Sequence, residues 1–421
     1  MKDQQSEFLR ALFNVAIEAA LPAKTIQQHI PKPPKGRTIV IGCGKAAATM
    51  ASSFERSWQH ELSGLVVTRY GHKVETSRIE VLEASHPIPN EAGMEATTRI
   101  LELLTDTTED DLVVFLVSGG GSALFTLPAP GLTLLDKMEI NAALLSSGAN
   151  ITEMNCVRKH LSAVKGGRLA RAIHPAKCLT LAISDIPGDE FAVIASGPTT
   201  PDQTTFSDAL AILSKYGITK PKSVLEHLRA GIDETPTHED PAFENVETKL
   251  ISTPQMSLEA AADLAKQNGY TPIILGDAIE GEAREVARVM AAITKQVIRH
   301  GQPSKAPCIL LSGGETTVTV RGKGRGGRNV EFLLALSLEL SHYKNVWALS
   351  GDTDGIDGTE ENAGAIINPS TIPRALELGL DAKAMLADND GYSFFEALND
   401  LVITGPTLTN VNDFRAILIE S

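Results

Sequence analysis

Four short runs in the first half of the chain are apolar and rich in β-branched residues: Thr38-Ile39-Val40-Ile41, Gly64-Leu65-Val66-Val67-Thr68, Leu112-Val113-Val114-Phe115-Leu116-Val117 and Leu179-Thr180-Leu181-Ala182-Ile183. A strand with one wet face alternates apolar and polar residues. Continuous runs instead indicate strands buried on both faces, in a mostly parallel sheet between helices. Helical periodicity from Lys45 to Gln59, after the first run, fits the crossover such a sheet requires. The pattern is that of a doubly wound α/β domain. Beyond residue 241 the alternation restarts. Pro272–Leu275, Cys308–Leu311 and Val346–Leu349 read as strands, and Glu282–Arg299 and Asn329–Ser341 as helices. Thr316–Val320 reads as an additional strand that an antiparallel, mixed-sheet pairing would suit. The polar, proline-bearing stretch Gly231–Pro241 has no period and is the expected linker. Two α/β domains, residues 1–240 and 241–421, are therefore expected.

The length of 421 residues suits roughly two or three domains. With 43% hydrophobic and 21% charged residues, sizeable cores are expected. A net charge of −14 argues against a nucleic-acid partner, but local basic clusters still admit a small anionic ligand. Cys43, Cys156, Cys178 and Cys308 form no CxxC pair and read as buried reduced thiols. The opening Met1–Glu7 lacks a basic region followed by an apolar one, and no apolar run approaches the ~18–20 residues that span a bilayer. A cytoplasmic protein without a membrane partner is expected.

Ligands of open α/β sheets bind beyond the carboxyl ends of strands, and this chain places glycine there repeatedly. Gly42-Cys43-Gly44-Lys45-Ala46-Ala47 fits the loose dinucleotide fingerprint with alanine at the third glycine position. The second strand, however, ends at Thr68-Arg69 without the acid that holds an NAD ribose. Lys45 would place a cation beside helix N-terminal amides, a phosphate seat; a surface lysine beside a packing turn fits the same pattern. Ser118-Gly119-Gly120-Gly121-Ser122 is the stronger signal, since glycines after a buried strand let amides converge on an anion and Ser122 can add a hydroxyl. Arg158, Ser162 and Lys165 are spaced near one helical face, which suits either an anionic site or a solvated basic surface. In Ser184-Asp185-Ile186-Pro187-Gly188-Asp189, a carboxylate can orient an alcohol and take its proton, or simply stabilise an Asx turn. His86 can bind substrate or serve a turn.

The second half repeats the arrangement in Ser312-Gly313-Gly314-Glu315. Arg325 and Arg328 flank Gly326-Gly327 and suit bidentate contact with phosphoryl oxygens. After Val346–Leu349, Asp352, Asp354 and Asp357 lie on a glycine-hinged turn and offer hard oxygen ligands for Mg²⁺. The spacing is not that of an EF-hand, because Ala363 stands where the closing Glu belongs. HExxH, GxSxG, Walker and paired-cysteine zinc motifs are missing from the sequence.

Taken together, the segments Gly42–Lys45, Ser118–Ser122, Arg158–Arg168, Ser184–Asp189, Ser196–Pro198, Ser312–Thr317, Gly326–Glu331, Asp352–Gly358 and Thr404–Asp413 resemble, in order, the glycerate 2-kinases whose C-terminal half is the MOFRL domain. Asn90 stands where that family usually has Asp after His86-Pro87, and Val330 interrupts its Gly-Gly-Arg-Asn-Gln-Glu stretch. The resemblance implies a Rossmann-like N-terminal domain facing a MOFRL domain across a catalytic cleft. It implies ATP-dependent phosphorylation of D-glycerate at the 2-hydroxyl, giving 2-phosphoglycerate, with Mg²⁺ assisting.

On that footing Lys45 and the Ser118–Ser122 amides hold anions, either the nucleotide phosphates or the glycerate carboxylate. Gly42, Gly44, Gly313, Gly314, Glu315 and Arg325 complete the expected cofactor-binding set. Asp189 takes the hydroxyl proton, Arg328 neutralises the migrating phosphoryl, and Asp352 and Asp354 bind Mg²⁺. The expected partner is the small molecule D-glycerate, with a homodimer left open as the assembly. Because some family members are labelled hydroxypyruvate reductase, an NADPH-dependent reductase is the rival, with Gly42–Ala47 as its dinucleotide turn and Arg69 on the 2′-phosphate. A small-molecule sensor is the non-enzymatic reading.

Overall fold

The continuous apolar runs become strands buried on both faces. In the computed structural model, which describes residues 3–186 and 188–421, β1 (Thr38–Cys43), β2 (Ser63–Arg69), β3 (Ile79–Ala84), β4 (Leu112–Val117), β5 (Lys177–Ile183) and β6 (Val246–Ser252) form one six-stranded sheet. Its order is β3-β2-β1-β4-β5-β6. The pairings of β1 with β2 and β4, of β2 with β3 and of β4 with β5 are all parallel. β1 and β4 are buried at every position, as their lack of alternation requires. Ile39, Ile41, Val113, Phe115 and Val117 pack with Ala96 and Ile100 of the helix Glu91–Leu103. Burying each of the five strand side chains stabilises the unit by about 1.5–3 kcal/mol. The expected crossover helix runs from Ala47 to Ser57.

The expected linker is not one. Asp202 N–H donates to Pro236 O at 2.9 Å, Thr235 is buried, and Arg171 pairs with Asp233 and Asp240. These contacts lie inside the unit Pro22–Ile251. The chain leaves that unit only after its last strand.

The second unit combines Ser252–Ser421 with the N-terminal segment up to Leu21. β7 (Thr271–Gly276), β9 (Cys308–Gly314), β11 (Val346–Asp352), β12 (Gly364–Ile367), β13 (Leu401–Val402) and β14 (Asp413–Ile419) form a second six-stranded sheet, ordered β13-β12-β11-β14-β9-β7. Only its β7–β9 pair is parallel, so the sheet is mixed. The strand anticipated at Thr316–Val320 is shorter: β10 (Thr316–Thr317) pairs in parallel with β8 (Gly281–Glu282). Helices at Ala283–His300 and Arg328–Glu339 match the expected ones to within about two residues.

The expected domain 1–240 thus differs from the observed unit, Pro22–Ile251, at both ends. Asp3 caps the helix Gln4–Ala19 by accepting from Ser6 N–H at 2.7 Å. That helix buries Leu9, Leu12, Phe13 and Ala16, and the Phe13 ring lies 5.7 Å from Phe414 of β14. Among the described residues, no helix is long and apolar enough to cross a membrane.

Candidate functional site

In the N-terminal unit, β4 delivers Ser118 to the turn that follows β1. Ser118 is fully buried; its Oγ accepts from Ala46 N–H at 3.0 Å, and its own N–H donates to Cys43 O at 3.1 Å. Lys45 N–H donates to Gly119 O at 2.9 Å, Gly44 N–H to Val67 O and Ala47 N–H to Gly44 O, each at 3.1 Å. Every backbone amide from Gly44 to Ala47 is therefore committed within the protein. The anion seat expected from that backbone is not formed there, and the turn's contribution is the Lys45 side chain. Gly42 lies inside β1, opposite Val66 and Leu116, where a Cβ would come within 2.5 Å of Leu116 O. Its glycine is a packing requirement.

The loop after β4 is different. The amides of Gly119, Gly120 and Ser122 donate to no protein acceptor among the described residues, while Gly121 N–H donates to Ser118 O at 3.2 Å. Three open amides on one short loop are the chemistry of an anion cradle. Gly120 sits at φ 79°, which glycine adopts without strain, and a Cβ there would meet His86 Cδ2 at 2.9 Å and Lys45 Cγ at 3.3 Å. A Cβ on Gly119 would stand 1.7 Å from Asp185 Oδ2. Lys45, His86 and Asp185 thus border the loop.

Burial, with the charges of Lys45, Arg69 and His72, pushes His86 down to about 4, so its ring is neutral at pH 7. Asp189 is half-buried on the turn after β5 at φ 55°, its N–H donating to Ile186 O; Pro187 of the same turn lies outside the described residues. The carboxylate placed against Gly119 is Asp185. The sequence leaves His86 between a substrate contact and a turn and selects Asp189 from the turn after β5; the structure brings His86 and Asp185 to the loop, each from another strand end.

Ser122 Oγ lies 2.6 Å from Ser196 Oγ, which donates to Asn155 at 3.2 Å. The Ser-Gly-Pro segment, which does not fit a nucleophile elbow, serves here to hold the loop.

In the C-terminal unit the organising side chain is Arg328, the first residue of its helix. Nε donates to Asp413 Oδ1, Nη1 to Glu315 Oε1 and Nη2 to Asp352 Oδ2, each at 2.7 Å. Asp413 opens β14, Asp352 ends β11 and Glu315 follows β9, so one guanidinium ties three strand ends. Asn329 Nδ2 adds a bond to Asp413 at 2.9 Å, and buried Arg415 pairs with the same carboxylate. Asp357 accepts from the amides of Asn329 and Val330 at 3.0 Å each, capping the helix from a distant turn. Burial raises Asp357 to about 6 despite those bonds and holds Asp352 well above the ordinary carboxylate range. Burial alone would lower the Arg328 guanidinium, but Asp413, Asp352 and Glu315 outweigh it and raise it.

Arg325 has other company: Glu360 at 2.6 Å, Glu396 at 3.8 Å and the Tyr392 ring at 4.3 Å. Gly313 and Gly314 are buried members of β9, and Gly313 O accepts from Ile279 N–H at 3.1 Å. They form no open loop comparable to that after β4.

The expected metal pair does not assemble a cage. Asp352 gives one oxygen to Arg328 and the other to Asp354 N–H at 3.1 Å, while Asp354 Oδ1 accepts from Ile356 N–H at 2.9 Å. No group of three His, Cys, Asp or Glu suited to a metal occurs among the described residues. The residues present fit an arginine-clamped turn and do not fit a resident Mg²⁺.

Residues 8–229 match the family described as "Domain of unknown function (DUF4147)" and residues 308–413 match the MOFRL family. A D-glycerate 2-kinase of Thermotoga maritima is 43% identical, over 96% of this chain and 96% of its own length. A protein of Agrobacterium vitis named "Putative hydroxypyruvate reductase" is 51% identical, over 98% of this chain and 94% of its own. The crystal structure of a glycerate kinase from Thermotoga maritima superposes with a TM-score of 0.92 at 41% identity, covering 99% of this chain and all of that one. With both modules matched and the likeness running the length of sequence and fold, the chain belongs to the MOFRL-type glycerate 2-kinase family.

Proposed function

We propose that this protein is a glycerate 2-kinase that transfers the γ-phosphoryl of ATP to the 2-hydroxyl of D-glycerate, releasing ADP and 2-phosphoglycerate. The observation that carries this reading, beside the family, is the loop Ser118–Ser122 with three uncommitted amides, bordered by a cation, a neutral histidine and a carboxylate. Anion binding, charge compensation and acceptance of a hydroxyl proton are what phosphoryl transfer to an alcohol demands.

In the reaction the 2-hydroxyl oxygen bonds to the γ-phosphorus as the bond to the β–γ bridging oxygen breaks. ADP leaves with the electron pair, and the hydroxyl proton passes to a carboxylate on the turn after β5, Asp185 or Asp189. Lys45 compensates negative charge beside the loop. Arg328 anchors the strand ends of its own unit, and two of its five N–H donors remain for a phosphoryl oxygen. Mg²⁺ enters as the ATP chelate and belongs to the substrate.

The reductase reading draws on the name carried by the Agrobacterium vitis relative. A dinucleotide pyrophosphate needs the amides opening the helix after β1. Here those amides are spent on Val67 O, Gly119 O, Ser118 Oγ and Gly44 O, which favours the kinase. The purified full chain, incubated with D-glycerate and Mg²⁺-ATP and separately with hydroxypyruvate and NADPH, decides. ADP release with a product that enolase consumes without a mutase supports the proposal. NADPH oxidation without ADP release rejects it.

A further inference from the structure

The helix Ile151–His160 ends before Ser162, so Arg158, Ser162 and Lys165 do not share the one helical face expected from their spacing and take three different roles. Ser162 Oγ donates to Leu127 O at 3.3 Å and braces backbone. Lys165 is buried, and its Nζ donates to the carbonyls of Ser122, Phe125 and Ala195 at 2.9, 3.1 and 3.4 Å. An ammonium has three N–H bonds, so Lys165 holds the glycine loop from beneath and keeps none for a ligand. Arg158 turns to Asn141, with Nε donating at 2.9 Å.

A cation that spacing did not single out completes the group. Lys137 lies in the first turn of the helix Leu134–Ser147, where the helix dipole disfavours positive charge. Its Nζ donates to Thr126 Oγ1 at 3.1 Å, leaving two N–H bonds. Asn141 is four residues further along the same helix and so shares its face. Arg158 Nη1 also reaches Asn155 at 3.4 Å, and Asn155 joins Ser196 and Ser122. The cluster and the open-amide loop are thus linked through Ser, Thr and Asn groups that carry no charge.

None of the three has a carboxylate partner among the described residues; burial is the largest influence on each and lowers it, and Lys165 and Arg158 add repulsion at Lys137. Elsewhere in the same unit, Lys159 pairs with Asp202 at 3.2 Å and Lys215 with Glu153. Burial lowers both lysines, Lys137 well below the ordinary lysine range and Lys165 to about 7, whereas an arriving anion favours their protonated forms and offsets the cost of holding charge out of water.

We propose that Lys137 and Arg158, in the field of Lys165, seat the carboxylate of the substrate beside the Gly119, Gly120 and Ser122 amides. The assignment rests on the kinase reading above. Lys137 keeps two N–H donors, and Arg158 retains part of its five after serving Asn141 and Asn155. Donors so few suit the two oxygens of one carboxylate better than the string of a triphosphate.

The test is Lys137→Met, which keeps the apolar stem, with Lys137→Arg as the conservative partner. In the full chain, KM for D-glycerate should rise about tenfold to a hundredfold in Lys137→Met. KM for Mg²⁺-ATP and the unfolding midpoint should stay unchanged, and Lys137→Arg should recover much of the loss. A rise in KM for ATP with glycerate unaffected, or no change in either, overturns the assignment. If the wild-type chain turns over no glycerate, the kinase reading fails by itself. The seat is then judged by thermal protection with D-glycerate or inorganic phosphate alone: protection present in wild type and lost in Lys137→Met upholds an anion site, and equal protection in both removes it.

Discussion

Arg328 and Asp352 meet through a single 2.7 Å bond from Nη2 to Oδ2, and the same guanidinium bonds Asp413 and Glu315 with its other nitrogens. Arg328→Gln therefore leaves Asp352 buried without its countercharge and Asp413 with Arg415 alone. Removing one partner of a buried ion pair typically costs about 3–5 kcal/mol. A lower denaturant midpoint is the expected outcome, accompanied by lost turnover. An unchanged midpoint with lost turnover would move Arg328 from scaffold to direct participant.

Lys45 should behave in the opposite way. Its backbone amide is bonded to Gly119 O, an interaction that any non-proline residue preserves, while its side chain borders the open loop. Lys45→Ala should reduce kcat by a hundredfold to a thousandfold, the usual loss of about 2.7–4 kcal/mol for one charge-stabilising donor. Its unfolding midpoint should match wild type. A loss below about tenfold would make the residue peripheral to the chemistry.

Gly119→Ala tests the placement of Asp185. The added methyl would lie 1.7 Å from Asp185 Oδ2, so either the loop or the carboxylate must move. Displacing a reacting group by about an ångström can cost a hundredfold in rate. Steady-state turnover near zero beside a near-native circular dichroism spectrum is expected. Full activity would show that Asp185 and the loop do not act together.

Asp357 supplies a pH test with a defined sign. Its folded value of about 6 lies above the ordinary aspartate range because burial opposes the charge. The folded state therefore binds the proton more tightly than the unfolded one. The stability contributed by this group is complete below about pH 4 and declines as pH rises through 6. Urea midpoints of wild type, taken relative to Asp357→Asn, should fall between those limits. A relative rise would reverse the assignment.

Much of the first unit is legible in the sequence because its central strands are continuously apolar and its key loop is continuously glycine. Both are local signals. β14, the central strand of the second sheet, is harder to see, since Arg415 interrupts an otherwise apolar run. That arginine is buried only because Asp413, two residues away, neutralises it, and this pairing makes sense only once the strand is known to be internal. The same difficulty hides Lys137 and Asp185. Each meets the glycine loop or its neighbours through tertiary contact, which leaves no periodicity to detect. Arg325 and Arg328 look equivalent in a glycine-rich stretch, yet one faces Glu360 and Glu396 and the other a set of buried aspartates.

The helix Gln4–Ala19 rests on strands encoded hundreds of residues later, with Phe13 against Phe414 and Ala16 O accepting from Ser257 Oγ at 2.8 Å. During synthesis this helix precedes β14 by hundreds of residues, and its Phe13 face stays without Phe414 until β14 leaves the ribosome. The intervening unit can close on itself meanwhile. Chaperone dependence should therefore concentrate on the opening segment, and clipping that segment would be felt at the far end of the polypeptide.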